Sequence, residues 1–241
     1  MRIILIGRGK MGRLIRETAE STGDEVVAAL GHDDLARLDS MGRVADVVID
    51  FSRPEALDAV CAYVRRTGTP LVSGTTGYTP EQKQRLEALG SVAPVLWSAN
   101  YSLGVAVFVR ALRAVSDVLK PDFDIEITET HHNQKADAPS GTALMLADAI
   151  NEENDGAYHY VYDRSSVRQK RDPKEIGISS VRGGSIVGDH EVLFCGPDEV
   201  ITLKHTAYSR SVFANGAINA AVYLAKKEPG LYNMGNMIAE L

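Results

Sequence analysis

The chain has 241 residues, of which 44% are hydrophobic and 24% are charged, and its formal net charge is −6. This composition is ordinary for a globular protein, and the length suits one large domain or two small ones. The acidic balance argues against non-specific binding to nucleic acid or to anionic membranes, because both require a basic surface.

Strand and helix patterns alternate over the first hundred residues. The apolar run 3–6 is typical of a strand buried on both faces, and glycine-rich sequence then leads into a helix over about 11–21. Further strands are predicted at 25–30, 44–51, 69–73 and 94–98, with helices at 54–66 and 80–89. Alternating strands and helices predict a parallel, doubly wound Rossmann sheet with right-handed crossovers.

The pattern changes after residue 101. A long amphipathic helix is predicted at 105–119, and the alternation over 123–128 predicts a strand with one wet face. The remaining predicted elements are a helix at 141–150, a polar loop at 151–176, strands at 178–181, 186–194 and 200–207, and a helix at about 212–226. Gly183 and Gly184 predict a hairpin turn between the first two of these strands.

We therefore predict an α/β protein of two domains. Residues 1–101, joined by 211–241, would form the dinucleotide-binding Rossmann domain. Residues 102–210 would form a smaller α+β domain with a mixed sheet, which binds the substrate and carries the oligomer contacts.

The sequence also predicts a cytoplasmic location. The first apolar run is too short for a signal peptide, and no apolar stretch approaches the length of a membrane span. Cys61 and Cys195 have neither a CxxC partner nor a clustered histidine, which favours reduced structural thiols.

The segment GRGKMG (7–12) matches the dinucleotide-binding pattern GxGxxG, and it follows an apolar strand and opens a helix. Gly7 permits the tight turn, Gly9 lets the backbone approach a pyrophosphate, and Gly12 permits close packing of helix on strand. The helix N-terminus offers N–H groups and a positive dipole end to the phosphates. A glycine-rich turn without a ligand is the alternative, which this context disfavours. The predicted cofactor is NADH or NADPH.

The end of the second predicted strand leaves the choice of nucleotide open. An NAD site usually has an acid there that binds the ribose 2′-OH, whereas Gly31 occupies the position here. Asp33 or Asp34 could substitute for the missing acid. The side chains that could instead meet a 2′-phosphate are Arg8, Lys10 and His32.

Two other strand ends carry polar chemistry, namely DFS (50–52) and GTTG (74–77). Ligands of open α/β sheets bind outside the carboxyl ends of the strands. Glycines there let backbone amides reach a nicotinamide or ribose, and the threonines add hydroxyl groups. Ordinary turn chemistry is the alternative.

The densest polar segment is ETHHNQKADAPSGTA (129–143), between a predicted strand and a predicted helix. His131 and Lys135 are four residues apart, so one helical turn would bring them to the same side. Histidine and lysine side chains can supply the proton that a hydride acceptor needs on the neighbouring atom.

The same segment contains the predicted start of a helix. Ser140 is a favourable N-cap residue, and the amides of Gly141 and Thr142 would then suit a substrate carboxylate. We predict no metal site, because adjacent histidines do not share a helix face and HExxH and CxxC spacings are lacking. A serine hydrolase is disfavoured because PSG is not a GxSxG elbow.

Together these residues resemble the dihydrodipicolinate reductase family. The segments that carry the resemblance, in the family's order, are GRGKMG (7–12), DFSRPE (50–55), GTTG (74–77), SANYSLG (98–104), ETHHNQKADAPSGTA (129–143), VRGGSIVGDHEV (181–192) and SRSVFANGA (209–217). They cover nearly the whole chain, and the segment 129–143 is highly specific to the family. Many members have an acid at the end of the second strand, where this chain has Gly31 and His32.

The resemblance implies reduction of 4-hydroxy-tetrahydrodipicolinate, or of the dihydrodipicolinate formed from it by loss of water, in the diaminopimelate route to lysine. It implies that His131 is the proton donor, that Lys135 is the second catalytic residue, and that the substrate contacts are His132, Ser140, Gly141 and Thr142. It also implies a homotetramer built through the sheets of the second domain. In each subunit, the two domains would close over the substrate. The motif and the resemblance together predict these nucleotide contacts: Gly7, Arg8, Gly9, Lys10, Met11, Gly12, His32, Phe51, Gly74, Thr75, Thr76, Ala99, Asn100 and Tyr101.

Two other functions are compatible with the glycine-rich loop. One is a different Rossmann oxidoreductase, such as an amino-acid dehydrogenase, which a substrate panel would separate from the first. The other is a redox sensor that binds a nicotinamide nucleotide without turnover, which leaves His131 and Lys135 unexplained.

Overall fold

Two units make up the structure, a computed structural model that describes residues 1–119, 122–166 and 168–241. Met1–Leu103 and Arg210–Leu241 form the first unit, and Gly104–Ser209 form the second. The boundaries predicted from the sequence lie after residue 101 and after residue 210. No helix among the described residues combines the length and apolar character needed to cross a membrane.

The first unit is built on a six-stranded parallel sheet, and the predicted Rossmann-like architecture is confirmed. Its strands are β1 (Arg2–Ile6), β2 (Glu25–Leu30), β3 (Val47–Asp50), β4 (Leu71–Ser73), β5 (Pro94–Trp97) and β11 (Gly230–Tyr232). Their order is β11-β5-β4-β3-β1-β2. Because β2 and β3 lie on opposite sides of β1, the winding reverses there, and such a reversal opens a ligand crevice outside the carboxyl ends of the strands.

Helices cover both faces of this sheet. They are α1 (Lys10–Ser21), α2 (Arg37–Ser40), α3 (Leu57–Thr67), α4 (Pro80–Ala88), α7 (Ser211–Leu224) and α8 (Met234–Ala239). Ile4 and Ile6 of β1 join a buried cluster with Val60 and Val64 of α3. Helix α7 packs against α1 and against β3, β4 and β5. Strand β1 is therefore buried on both faces, as its continuous apolar run predicts.

Three elements of this unit, α2, β11 and α8, were not predicted from the sequence. Strand β11 has three residues, too few for a periodic pattern, and it begins with a glycine. Pairing with β5 stabilises it as the last strand of the sheet. Helix α8 has six residues and begins at an Asn233 N-cap.

The second unit contains the predicted mixed sheet. Its elements are α5 (which begins at the boundary and spans Leu103–Leu119), β6 (Asp124–His131), α6 (Gly141–Glu152), β7 (His159–Val161), β8 (Glu175–Arg182), β9 (Gly188–Cys195) and β10 (Val200–Ala207). The order is β10-β9-β6-β8-β7. Strand β6 pairs with β8 in parallel and with β9 antiparallel. Side chains of α5 and α6, such as Leu112 and Leu146, pack on Ile125 and Ile127 of β6.

The predicted hairpin at Gly183 and Gly184 is wrong. Strands β8 and β9 lie on opposite sides of β6, so they do not pair with each other. The glycines instead close on the end of β6, where the Gly183 N–H donates to the His131 carbonyl at 2.9 Å and the Asn133 N–H donates to the Gly184 carbonyl at 3.2 Å. The central strand has two hydrogen-bonding edges, and each flanking strand uses one of them.

The predicted loop over 151–176 is also wrong in part, and its residue 167 lies outside the described residues. It contains β7 and the first two residues of β8. Three residues of β7 pair in parallel with β8 at the margin of the sheet. A strand this short, in a polar setting, leaves no period in the sequence.

Candidate active site

Three glycines shape the loop between β1 and α1, and only two of them are required by the protein's own packing. Gly7 has φ +106°, and a Cβ there would lie 2.2 Å from the Phe51 carbonyl oxygen. A Cβ on Gly12 would lie 2.0 Å from the Gly7 carbonyl oxygen. A Cβ on Gly9 would meet no described atom within 4 Å. The space beside Gly9, at the N-terminus of α1, therefore fits a ligand such as a pyrophosphate.

A cavity of about 460 Å³ adjoins this loop. Among the predicted contacts it brings together Gly7, Arg8, Gly9, His32 and Phe51. Lys10 is exposed and Met11 is half-buried at the start of α1. The cavity lies at the reversal of sheet order, where α/β proteins bind nucleotides.

The loop after β4 is held against the end of β3 by the buried carboxylate of Asp50, a residue predicted to lie at a polar strand end but not assigned as a nucleotide contact. Asp50 is 1% exposed and accepts hydrogen bonds from the hydroxyls of Ser52 at 2.5 Å, Thr75 at 3.0 Å and Tyr78 at 3.2 Å. Burial raises the pKa of Asp50, and these hydrogen bonds oppose the shift. In the sequence, the position of Asp50 directly after the apolar residues 47–49 is the signal for this buried acid.

The other predicted nucleotide contacts differ in their exposure. The Thr75 hydroxyl is committed to Asp50, and the Tyr101 hydroxyl donates to backbone carbonyls in the interior. Gly74 lies against the Phe51 ring, where a Cβ would come within 2.3 Å. Thr76 and Ala99 are exposed, and Asn100 is half-buried.

In the second unit, strand β6 carries the candidate catalytic groups at its carboxyl end. Its residues alternate between exposed or half-buried and fully buried positions, as predicted. The buried face begins with Ile125 and Ile127 and continues with Glu129 and His131. Because side chains two residues apart share a strand face, the apolar face becomes an acid–base pair at its end.

Glu129 and His131 contact each other directly. The Glu129 side chain is fully buried, and its Oε2 lies 2.5 Å from His131 Nδ1. Arg182, at the end of β8, donates to both carboxylate oxygens at 2.7 and 2.8 Å. Glu129 and Arg182 were not predicted as site residues, although Glu129 continues, by one residue, the buried face of the alternation predicted over 123–128.

The predicted helical turn between His131 and Lys135 is wrong. His131 is the last residue of β6, and the chain then turns, with the Lys135 N–H donating to the His132 carbonyl at 3.1 Å. Lys135 Nζ lies 2.8 Å from an Asp137 oxygen, and its side chain is 20% exposed. His132 is half-buried next to the strand end. The parallel pairing of β6 with β8 uses the backbone in an extended form up to residue 131, so the turn can begin only after it.

Helix α6 begins as predicted. Ser140 is its N-cap, with the hydroxyl accepting from the Ala143 N–H at 3.1 Å. That hydroxyl also lies 2.9 Å from Nε2 of His190, so both of its contacts are with groups of the protein itself. Gly141 and Thr142 occupy the first two positions, where backbone amides point out of the helix. As at Gly9, a Cβ on Gly141 would have no described neighbour within 4 Å.

Burial and neighbouring charges shift the pKa values of three residues in this cluster, Glu129, His131 and His190. Burial would raise the pKa of Glu129, but hydrogen bonds from Arg182 and then His131 hold that pKa at about 2. Burial lowers the pKa of His131, and the Glu129 carboxylate opposes this shift. Burial and the neighbouring His131 lower the pKa of His190 to about 4. At neutral pH the cluster therefore contains a carboxylate and a neutral His190.

The low pKa of His190 predicts an acid-sensitive second unit. The unfolded chain binds a proton near pH 6.5 and the folded chain only near pH 4, so stability is full above 6.5 and falls toward 4. The expected loss is about 3 kcal/mol of unfolding free energy over this window. His190→Gln, which retains a hydrogen-bonding side chain opposite Ser140, should flatten the dependence in urea titrations at several pH values. An equally steep loss in the variant would contradict this origin.

The fold and the site define an oxidoreductase that uses a nicotinamide nucleotide. Residues 1–101 match the family model for the N-terminus of dihydrodipicolinate reductase, and residues 104–238 match that for its C-terminus. The chain belongs to the dihydrodipicolinate reductase family, and the predicted resemblance is confirmed.

Individual relatives match this chain over nearly its whole length. The 4-hydroxy-tetrahydrodipicolinate reductase of Clostridium tetani is 45% identical, covering 99% of this chain and 97% of its own. That of Staphylococcus epidermidis is 44% identical, covering 98% and 100%. A solved structure of dihydrodipicolinate reductase from Paenisporosarcina sp. TG-14, with dipicolinate bound, has a TM-score of 0.76 at 26% identity and covers 97% of both chains. An amine dehydrogenase of Mycobacterium smegmatis, 14% identical with a TM-score of 0.59 over 98% of this chain and 95% of its own, shares the fold.

Proposed function

We propose that this protein reduces 4-hydroxy-tetrahydrodipicolinate, or the dihydrodipicolinate derived from it, to tetrahydrodipicolinate in diaminopimelate and lysine biosynthesis. The names of its relatives support this substrate. The observation that carries the proposal is the buried Glu129–His131 pair beside the N-terminus of α6. The Glu129–His131 pair supplies acid–base chemistry, and the N-terminus of α6 suits a substrate carboxylate.

In this proposal each group of the site has one task. A bound nicotinamide nucleotide supplies a hydride. His131 gives a proton to the neighbouring atom of the substrate, and Lys135 holds positive charge close to it. The amides of Gly141 and Thr142 donate to a carboxylate, and the open space at Gly141 lets that group approach the backbone. A dicarboxylate brings negative charge toward His131, which favours the protonated ring.

We further propose that the first unit accepts NADH and NADPH with similar affinity. The position of the usual ribose-binding acid is Gly31, so the 2′-OH lacks that partner. Arg8, the nearest cation, donates to the Ala29 carbonyl and pairs with Asp34 at 2.5 Å. A 2′-phosphate would compete with Asp34 for this guanidinium, which limits the gain from the phosphate.

Coupled assays with both nucleotides test these proposals. NADH and NADPH should be oxidised only when the fresh condensation product of pyruvate and aspartate semialdehyde is present, and their Kd values should agree within about tenfold. Pyridine-2,6-dicarboxylate, an unreactive diacid, should compete with the substrate. Oxidation with a panel of amino-acid or keto-acid substrates instead, or nucleotide binding without turnover, would contradict the proposed function.

A further inference from the structure

The Glu129 carboxylate contacts three residues, His131, Ser140 and Arg182, rather than a single cation. Its Oε1 accepts from the Ser140 N–H at 3.1 Å and from Arg182 Nη2 at 2.7 Å. Its Oε2 accepts from Arg182 Nη1 at 2.8 Å and faces His131 Nδ1 at 2.5 Å. Both oxygens are thus fully used, and the side chain has no exposed surface. One carboxylate joins the predicted proton donor to the start of α6.

The direction of these hydrogen bonds determines where His131 carries its proton. A carboxylate paired with a bidentate arginine stays ionised and can only accept. The nitrogen that faces it, Nδ1, must therefore carry a hydrogen. The other nitrogen, Nε2, faces Gly188, where a Cβ would come within 3.0 Å. Nε2 is consequently the His131 nitrogen that can exchange a proton with a ligand.

Charged and titratable groups surround His131 on several elements. Glu129 lies on its own strand, Arg182 on β8, His190 on β9 and Lys135 on the turn that follows. His190 contacts the His131 ring edge to face at 5.1 Å, and burial keeps the pKa of His190 low. Lys135 and Arg182 disfavour a proton on His131, and Glu129 is the neighbour that favours it.

We propose that Glu129, paired with Arg182, is a positioning residue that fixes His131 with a hydrogen on Nδ1, so that Nε2 alone exchanges the catalytic proton. The same carboxylate holds the Ser140 amide, which sets the start of α6 relative to that nitrogen. This inference rests on the proposed function for the proton's destination. The hydrogen on Nδ1 does not depend on it.

Glu129→Gln tests the proposal, with Glu126→Gln as a matched control. Glu126 lies on the other face of β6 and pairs with Arg164 and Arg171. We expect Glu129→Gln to lower kcat by about 10²- to 10⁴-fold, because the amide breaks the set of donors that holds His131. Nucleotide Kd should be unchanged, and the control should retain native kcat.

The pH profile separates positioning from general damage. Without the Glu129 charge, His131 loses its proton at lower pH, so the alkaline fall of kcat/KM should move down by about one pH unit. Glu129→Asp keeps the charge and should retain the native pH profile at a lower rate. A Glu129→Gln variant that folds with native kcat and pH profile would overturn the proposal.

A direct measurement on the unaltered protein covers the case in which Glu129→Gln does not fold. Nitrogen-15 NMR of the histidine rings, with His131 assigned from its loss in His131→Gln, should show a protonated Nδ1 at neutral pH. An unprotonated Nδ1 would overturn the proposal. Because this measurement needs no turnover, it decides the placement of the proton even if the proposed substrate is wrong.

Discussion

Replacing His131 with glutamine should lower kcat by about 10²- to 10⁴-fold, the range expected when a general acid is lost. Glutamine has similar reach but no titratable proton at neutral pH. The affinity for NADH and NADPH should stay within about twofold of native, because His131 belongs to the second unit and the glycine loop to the first. Single-turnover rates and nucleotide titrations measure the two quantities separately.

His159 provides a control for this substitution. It lies in β7 of the same unit and is exposed. His159→Gln should keep native kcat and native nucleotide affinity. If His131→Gln retained native turnover, or if it lost nucleotide binding and turnover together, the assignment of His131 as the proton donor would be wrong.

Replacing Gly9 with alanine should weaken the binding of both nucleotides by about tenfold or more, which corresponds to about 1.4 kcal/mol. The backbone of Gly9 has φ −71°, which alanine adopts without strain, and the added Cβ meets no atom of the described chain within 4 Å. The protein should therefore fold with native stability. The methyl group would occupy the space through which a pyrophosphate approaches the amides of α1.

Gly12→Ala is the control for Gly9→Ala, because it should lower the stability of the protein, whereas Gly9→Ala should lower only the nucleotide affinity. Its Cβ would lie 2.0 Å from the Gly7 carbonyl oxygen, and backbone cannot move aside cheaply. We expect a loss of about 3 kcal/mol of unfolding free energy, the upper range for overpacking. Urea titration and NADH fluorescence titration on both variants give the comparison. Native NADH affinity in Gly9→Ala would show that the loop does not bind the nucleotide.

Local patterns were sufficient for most of the elements. The apolar run 3–6, the glycine loop, the alternation over 123–128 and the Ser140 N-cap each reflect a preference of neighbouring residues for one backbone form. The elements that were missed or misplaced are those without such a preference. Strands β7 and β11 have three residues each, and the Gly183–Gly184 turn suits a hairpin as well as the arrangement observed.

The sequence by itself determined the two kinds of fold, the glycine loop, the family and the identity of His131 and Lys135 as candidates. Only the tertiary structure decided that β6 lies between β8 and β9, and therefore that Arg182, 53 residues away, meets Glu129. A preference for strand is encoded by residues next to one another. The choice of strand partner depends instead on how whole faces pack, which a single segment does not encode.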